Sequence, residues 1–521
     1  MKTKRNMVIA TTLLACLAAT LVSGCSKKEE GRSDQATPVA SQPTAKKEMT
    51  LKLLRPEHQA QALKTDTPVL REIANKTGVK LQVESIPSTG YNDKKRALIA
   101  TNNIPDIIQV EKADLDEFSK SGIFLAVSDY LDQMPNLQKV ITDNPEIKRL
   151  YIDGKLYGLP IAVQNNLQYA KALLIRTDIL QKLNLAVPTT FDELYAVLKK
   201  MKEAYPDSYP FSSRGLGSFL DAFAFGMGGG LGIYYDPDVK GGQYVYGTNK
   251  PEFKKVLTYL NKLYQEKLLD PDFAVLNNQT WGEKNNTGKA FFYYDNNSFA
   301  INFNQALQKD NPQAKFDVIP YLKNDSGKSR GYLYPRGWLT LNYAISSKVK
   351  DPAAVMRFYD WLYSPEGAEI SNFGILGETY EKVNGEPRVL DSIIAKYKNA
   401  ADPVRTMQSE LGTGYLALSP LVDERPNTQI SDPIVMKWSE QLKKDPGAYV
   451  WPGVNPGFTK EESDKLKEIQ SKVSPIEQDV VKFIMGAKQL GEFDAFAASL
   501  DKAGVAGIEK IYNDALARAG K

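Results

Sequence analysis

MTLKLLR at residues 49–55, VKLQVESI at 79–86 and IPDIIQV at 104–110 are three apolar, β-prone runs separated by two helical stretches, and their order decides the fold. Between the first two, Asp66-Thr67-Pro68 opens a helix: a capping-type residue, a proline near the first turn, and Glu72 early in the run. Gly78 stops it. A second helix is predicted over 91–101, ahead of the buried-type strand IPDIIQV. Strand, helix, strand, helix, strand is the βαβ rhythm of a mostly parallel sheet with helices on both faces, so the fold class is α/β.

Working outward, LYGLPIAV (156–163), YAKALLIR (169–176) and GKAFFYYD (288–295) read as further strands, with helices over 190–202 and 251–266. From residue 460 the chain turns helical, through FTKEESDKLKEIQSKV (458–473) and SPIEQDVVKFIMGA (474–487). No internal repeat of about 20 to 50 residues is present.

Ahead of the first strand, Lys2, Lys4 and Arg5 precede an apolar run over 7–22, the order of a secretory leader, and too short for a stable membrane span. The run closes on Leu21-Val22-Ser23-Gly24-Cys25, which resembles the lipobox of bacterial lipoproteins. That resemblance implies that residues 1–24 are removed and that Cys25 carries acyl chains, anchoring the protein to the cell membrane outside the cytoplasm. Cys16 lies inside the discarded run, so the mature chain has no internal disulfide. Residues 25–48 then form a tether: SKKEEGRSDQATPVASQPTAKKE contains almost no large apolar side chain and cannot offset the entropy of ordering.

Removing Lys2, Lys4 and Arg5 with the leader leaves 63 basic against 62 acidic residues, a balance that demands no nucleic acid or other polyanion. The 497 residues from Cys25 onward exceed what one hydrophobic core usually organises, so two or more lobes are expected. Tyrosine is in excess at 27 residues; its flat face and hydroxyl suit sugar rings, and equally any wet groove.

The chemistry of catalysis is mostly missing. A single histidine, His58, and one mature cysteine leave almost no room for a Ser-His-Asp or Cys-His arrangement or for a zinc cluster. FGMGGGLG at 225–232 fits no register of the dinucleotide fingerprint, and Gly327-Lys328-Ser329 has Leu322 where a phosphate loop needs glycine. Paired carboxylates for glycoside hydrolysis stay open, because 62 acidic residues include some pair in any fold.

IPDIIQV, GIFLAVSDYL (122–131), DGKLYGLPIAV (153–163), ALLIRTDIL (172–180) and VPTTFDEL (187–194) form an ordered series. It continues through GKAFFYYDNN (288–297), the stretch RGWLTLNYAISSKVKDPAAVMRFYDWLYSPEGAEISNFGILGETYE (336–381) and VVKFIMGAKQL (480–490). The series resembles the family 1 extracellular solute-binding proteins, receptors of carbohydrate ABC importers of the maltose-binding and alginate-oligosaccharide-binding types. The resemblance covers residue 49 to the C-terminus and implies a two-lobed periplasmic-binding-protein-like fold with a hinge and an interlobe cleft. The first lobe is expected from 49–165 plus 286–335, the second from 166–285 plus 336–521, with crossings near 163–168 and 334–339. The implied function is capture of an oligosaccharide and its delivery to an ABC permease by a monomeric, membrane-tethered receptor. A tethered glycoside-cleaving enzyme, and a binder or sensor for a peptide or other solute, are the competing readings.

Solutes of open α/β sheets sit beyond strand ends. Ligand contacts are therefore expected from Arg55, Glu57 and His58 after the first strand, Glu111 after IPDIIQV, and Gln164 and Asn165 after LYGLPIAV. Tyr294, Asp295 and Asn297 after GKAFFYYD, Arg336 and Trp338 at the second crossing, and Trp281 in NNQTWGEKNN complete the set. Trp281 and Trp338 read equally well as core residues, and Trp451 and Trp361 better so. No catalytic residue and no cofactor is assigned. Several relatives carry an acidic calcium loop after the helix that follows VPTTFDEL; here Glu203 and Asp207 are the only carboxylates of 202–210, so no metal is expected.

Overall fold

The computed structural model describes residues 48–519 apart from 58–63, 166–170, 334–339, 401–402, 415–417, 432 and 451–454. The leader, Cys25 and nearly all of the tether lie outside the described residues, as do His58, Arg336, Trp338 and Trp451; Asn165 is described in its backbone alone.

The chain runs through β1 (Met49–Glu57), β2 (Val79–Pro87), β3 (Ile107–Glu111), β4 (Leu159–Pro160), β5 (Ala162–Asn165) and β6 (Lys171–Arg176). It continues through β7 (Ile233–Asp236), β8 (Gln243–Tyr246), β9 (Phe292–Asn296), β10 (Phe316–Ile319), β11 (Gly331–Leu333) and β12 (Leu341–Ile345). A hairpin, β13 (Tyr380–Val383) and β14 (Glu386–Val389), is followed by β15 (Leu421–Asp423) and β16 (Ala448–Val450).

The opening βαβ unit forms for the reasons its sequence suggests. Thr67 Oγ1 accepts the Leu70 N–H at 3.2 Å, Pro68 occupies the first turn, and Gly78 closes the helix at φ +76° with its N–H on the Ala74 carbonyl at 2.8 Å. Val69 and Ile73 are the buried face of helix Pro68–Thr77. β1 pairs in parallel with β2 and β3, and its alternation sends Leu51 and Leu53 into one core and Leu54 into a smaller one. The sheet has the order β2-β1-β3-β12-β4, with β12 antiparallel to both neighbours.

A second, larger core surrounds an antiparallel sheet of order β10-β6-β9. Its interior is aromatic: Phe211 lies edge-on to Phe292 and Phe219, and Trp281 packs edge-on against Tyr293, Phe299 and Phe303 with centroids about 5 Å apart. Expectation and structure differ here, since a mostly parallel sheet describes only β1, β2 and β3 within the two main sheets.

Residues 166–168 of the first expected crossing and all of the second, 334–339, lie outside the described residues, and the strands on either side of each belong to different cores. The chain leaves the first core after β5 and enters the second at β6; it leaves after β11 and returns to the first at β12. The composition of the lobes does not match the expected boundaries. β9 and β10 pair with β6, so residues within 286–335 belong to the second core, and β12 pairs with β3 and β4, so the strand after residue 336 belongs to the first. Ile430 of helix Arg425–Ile430 lies in a separate small cluster with Phe373 and Tyr380, whereas Trp438 and Leu442 of the next helix, Pro433–Lys444, are buried in the second core. The physical reason is that an apolar run such as FFYYD specifies a buried strand without specifying which sheet receives it.

The C-terminal helices complete the second core. Helix Lys460–Glu477 starts on a reciprocal cap between Thr459 and Glu462 and continues through Pro475. Lys467 reaches Glu117 of the first core at 3.9 Å. Among the described residues no helix is long and apolar enough to cross a membrane.

Candidate functional site

The strand ends on either side of the two expected crossings are polar. On the first-core edge, β1 ends at Glu57, whose carboxylate accepts from Ser85 Oγ at 2.7 Å. β3 ends at Glu111, which is exposed and starts helix Lys112–Phe118 with a reciprocal cap to Asp114. The second crossing arrives here: Lys112 N–H donates to the Thr340 carbonyl at 2.8 Å, and Leu341 lies opposite Glu111. Lys112 and Asp116 pair in this wall; burial holds the ammonium below its ordinary range and the carboxyl above its own.

At the first crossing, β5 is paired with β15, so Asn165 lies opposite Asp423. Gln164 Nε2 donates to Asp423 at 3.4 Å, and the buried Asp423 carboxylate takes Arg425 through Nε at 3.0 Å and Nη2 at 2.6 Å. Arg425 Nη1 donates to Glu386 at 2.6 Å, and the Asp423 hydrogen bonds raise the guanidinium pKa further.

The second-core edge mirrors this arrangement. Lys171, the first residue of β6, lies opposite Asn296 at the end of β9, and its ammonium holds Asp221 at 2.5 Å. One residue back, Asp295 is 2 % exposed and accepts Arg214 Nε at 2.6 Å and Nη2 at 3.2 Å, with the guanidinium over the Phe299 ring. Asn297 is 1 % exposed, and neither end of its amide has a hydrogen-bond partner among the described residues. The edge thus presents planar groups, guanidinium, carboxylate and amide, that suit hydroxyl recognition.

The expected residues therefore separate. Glu57, Glu111, Gln164, the backbone of Asn165, Asp295 and Asn297 flank the crossings. Arg55 lies inside β1, buried, in the same row as Gln109 and Tyr343. Trp281 and Tyr294 are corrected: both are 1 % exposed members of the aromatic second core, because the helix and strand that carry them turn their apolar faces inward. Trp361 packs against the first core and donates to Glu366 at 3.1 Å. Lys171, Asp221, Arg214, Asp423 and Arg425 were not singled out from sequence. The signal for two of them was available in LVDER, a short apolar run ending in charges like the other strand ends.

Elsewhere, a pocket of about 470 Å³ lies between Tyr151, Asp153, Phe458 and Arg518, and a groove of about 750 Å³ runs past Arg176, Tyr205 and Asn286; neither is lined by the strand-end residues beside the crossings. In the 202–210 loop, Lys202 Nζ donates to the carbonyls of Pro206 at 2.7 Å and Ser208 at 2.6 Å, and Glu203 is paired with Lys200 at 2.7 Å.

Known proteins share both the sequence pattern and the fold. A family model described as bacterial extracellular solute-binding protein matches residues 61–369. The lipoprotein LipO of Bacillus subtilis is 27% identical over 386 residues, 71% of this chain and 73% of LipO. The fructooligosaccharide ABC transporter substrate-binding protein FusA of Streptococcus pneumoniae is 24% identical and is matched over 98% of this chain and 97% of its own. The crystal structure of the alginate-binding protein AlgQ2 without calcium ion superimposes with a TM-score of 0.72 at 22% identity, over 90% of this chain and 98% of that one, which shows a shared two-lobed fold.

Proposed function

The chain belongs to the bacterial extracellular solute-binding proteins, and on that premise we propose that it captures an oligosaccharide between its two cores and delivers it to an ABC permease. The observation that carries this reading is the pair of edges beside the crossings, where Arg214–Asp295, Lys171–Asp221 and Arg425–Asp423 present paired planar and charged groups at strand ends. Such groups fix sugar hydroxyls through bidentate hydrogen bonds, and closure of two lobes would desolvate them. The likeness to FusA, a fructooligosaccharide transporter component, and to AlgQ2, an alginate-binding protein, supports a saccharide as cargo. Family membership supports a location outside the cytoplasm. Acylation at Cys25 and a tether to residue 48 would keep the receptor near its permease and raise the effective concentration of their encounter. The protein acts as a monomer and binds without turnover.

We further propose that the 202–210 loop takes no calcium. Six to eight oxygens are usual for that ion, and here two loop carbonyls are held by the Lys202 ammonium while Glu203 is held by Lys200.

Heat of binding and product formation, followed together on the mature protein with a panel of oligosaccharides, test the main reading. Binding without product is the expected result. Turnover abolished by one carboxylate substitution would establish a glycoside-cleaving enzyme instead, and melting shifts confined to peptides would establish a peptide receptor. Cys25→Ser is expected to move an intact binder from the membrane fraction to the medium with its solute affinity unchanged.

A further inference from the structure

We propose that the groove past Arg176, Tyr205 and Asn286 is a further saccharide site, for a neutral glycan chain, at the end of the second-core sheet remote from the expected crossings. β6 spans the separation: Lys171, its first residue, follows the first expected crossing, and Arg176, its last, lines the groove, about 16 Å along the strand. The groove's volume of about 750 Å³ falls within the range of about 300 to 1,000 Å³ usual for small-molecule sites.

Arg176 is 5 % exposed, yet its guanidinium is not fully used. Asp178 accepts Nε at 2.7 Å and Nη2 at 2.6 Å, and also the Lys315 N–H at 3.2 Å; the Phe316 ring lies 5.8 Å from the guanidinium carbon. Nη1 makes no hydrogen bond among the described residues. A Cβ at Gly288, which has φ +68°, would stand 3.8 Å from Nη1, so the missing side chain leaves the way to that nitrogen open. A guanidinium fixed by a carboxylate, with the N–H groups of Nη1 turned to a groove, is a donor held in place before any ligand arrives. Asp178 already balances its charge, so an uncharged oxygen suffices as acceptor.

The rim and floor point to the same ligand from independent chemistry. Gln181, Asn286 and Gln313 come from three separate segments, are exposed at the rim, and make no side-chain hydrogen bond among the described residues. Between them the floor is apolar: Phe291, Leu307 and Ala314 are buried, and Tyr205 packs on Phe291 with ring centroids 5.1 Å apart. An amide donates and accepts at once, as a sugar hydroxyl does, and an apolar floor takes the C–H face of a sugar ring. Phosphate would only accept, leaving the amide oxygens against negative charge. A glycan chain held here would stay beside the receptor while its shorter pieces are captured elsewhere on the same molecule, which raises their effective concentration.

The test is methyl NMR on the mature chain, with Ile179 and Leu307 as reporters because both line the groove. The probes are short fructo-, malto-, xylo- and manno-oligosaccharides, inorganic phosphate and trialanine. At least one neutral series is expected to shift both reporters to saturation, and phosphate and trialanine to leave them in place. Gly288→Asn introduces a residue that tolerates left-handed backbone and sets its side chain towards Nη1; it is expected to weaken that binding at least about tenfold. Asn286→Ala combined with Gln313→Ala changes only exposed positions, keeps the fold, and is expected to weaken it to a similar degree. In Asp295→Ala the reporter shifts are expected to persist within about twofold of the same affinity, since that residue belongs to the other end of the sheet. No reporter shift with any neutral series overturns the site, whether or not calorimetry finds an oligosaccharide bound between the cores. Shifts with phosphate or trialanine alone overturn the saccharide assignment. Shifts that survive both groove variants, or that vanish in Asp295→Ala, place the ligand elsewhere and overturn the site as well.

Discussion

Tyr294 and Asp295 are neighbours on β9, both almost fully buried, and they belong to different parts of the molecule. Tyr294 belongs to an aromatic interior with Phe223 and the cluster around Trp281; Asp295 belongs to an edge of paired polar groups beside a crossing. The contrast extends to the whole chain. Thirteen of the described tyrosines are buried, so the excess of tyrosine serves packing on a large scale, while the recognition chemistry proposed here sits in Arg, Asp, Asn and Gln at strand ends.

The strongest way to break that contrast is Trp281→Ala. As a core residue packed edge-on against Tyr293, Phe299 and Phe303, its loss is expected to cost about 3 to 5 kcal/mol of stability, read by denaturant unfolding, with solute affinity unchanged. A loss of affinity at unchanged stability would return Trp281 to the cleft as a stacking surface.

Alkaline unfolding probes the same interior. Burial pushes the Tyr244 phenol up to about 12 from an ordinary value of 10.0, and its hydroxyl has no hydrogen-bond partner among the described residues. A raised folded-state pKa means that this contribution is fully present below pH 10 and is lost as pH rises through 12; two pKa units amount to about 2 to 3 kcal/mol. Tyr244→Phe should therefore shift the alkaline unfolding midpoint upward while changing stability at pH 7 little. An unchanged midpoint would show that the ring is not buried in the folded protein.

How far the sequence reveals this arrangement depends on range. Local order is legible: the helix after Thr67, its stop at Gly78, and the strands at 49, 79 and 107 follow from capping, left-handed glycine and apolar alternation. The strands before and after each expected crossing belong to different cores, and each change of core falls where a strand ends ahead of a new apolar run. Sheet membership is a different matter. Nothing within FFYYD or LNYAI says that β9 joins β6 or that β12 inserts between β3 and β4, since those pairings are settled by partners more than 100 residues away. The site shows the same division: Asp295, Asn297, Glu111 and Gln164 follow from their positions at strand ends, whereas Lys171–Asp221 and Arg214–Asp295 need the tertiary pairing to bring 50 and 81 residues of separation together.

On the polar side of the contrast, Asp295→Ala is expected to weaken oligosaccharide binding by about 2 kcal/mol, measured by calorimetry, with a smaller loss of stability than Trp281→Ala. Arg214 is partly exposed and can hydrate once its partner is gone, so the structural penalty is limited while the hydroxyl-binding pair is destroyed. Equal losses of stability in the two variants would erase the distinction between core and edge.

The smallest effect concerns the 202–210 loop. Lys202 lies at the end of helix Phe191–Ala204, with its ammonium over the Tyr209 ring at 4.8 Å and donating to the carbonyls of Pro206 and Ser208. A built-in ammonium there does locally what a bound cation would do, satisfying two loop carbonyl oxygens. Lys202→Met keeps the aliphatic stem and removes the charge, and should cost about 1 kcal/mol, the net worth of such hydrogen bonds. Millimolar calcium should leave the melting temperature of the unmodified protein unchanged and should not restore the variant, because Glu203 and Asp207 alone cannot complete its oxygen set. Rescue of Lys202→Met by calcium would show instead that the lysine competes with a metal for the same carbonyls.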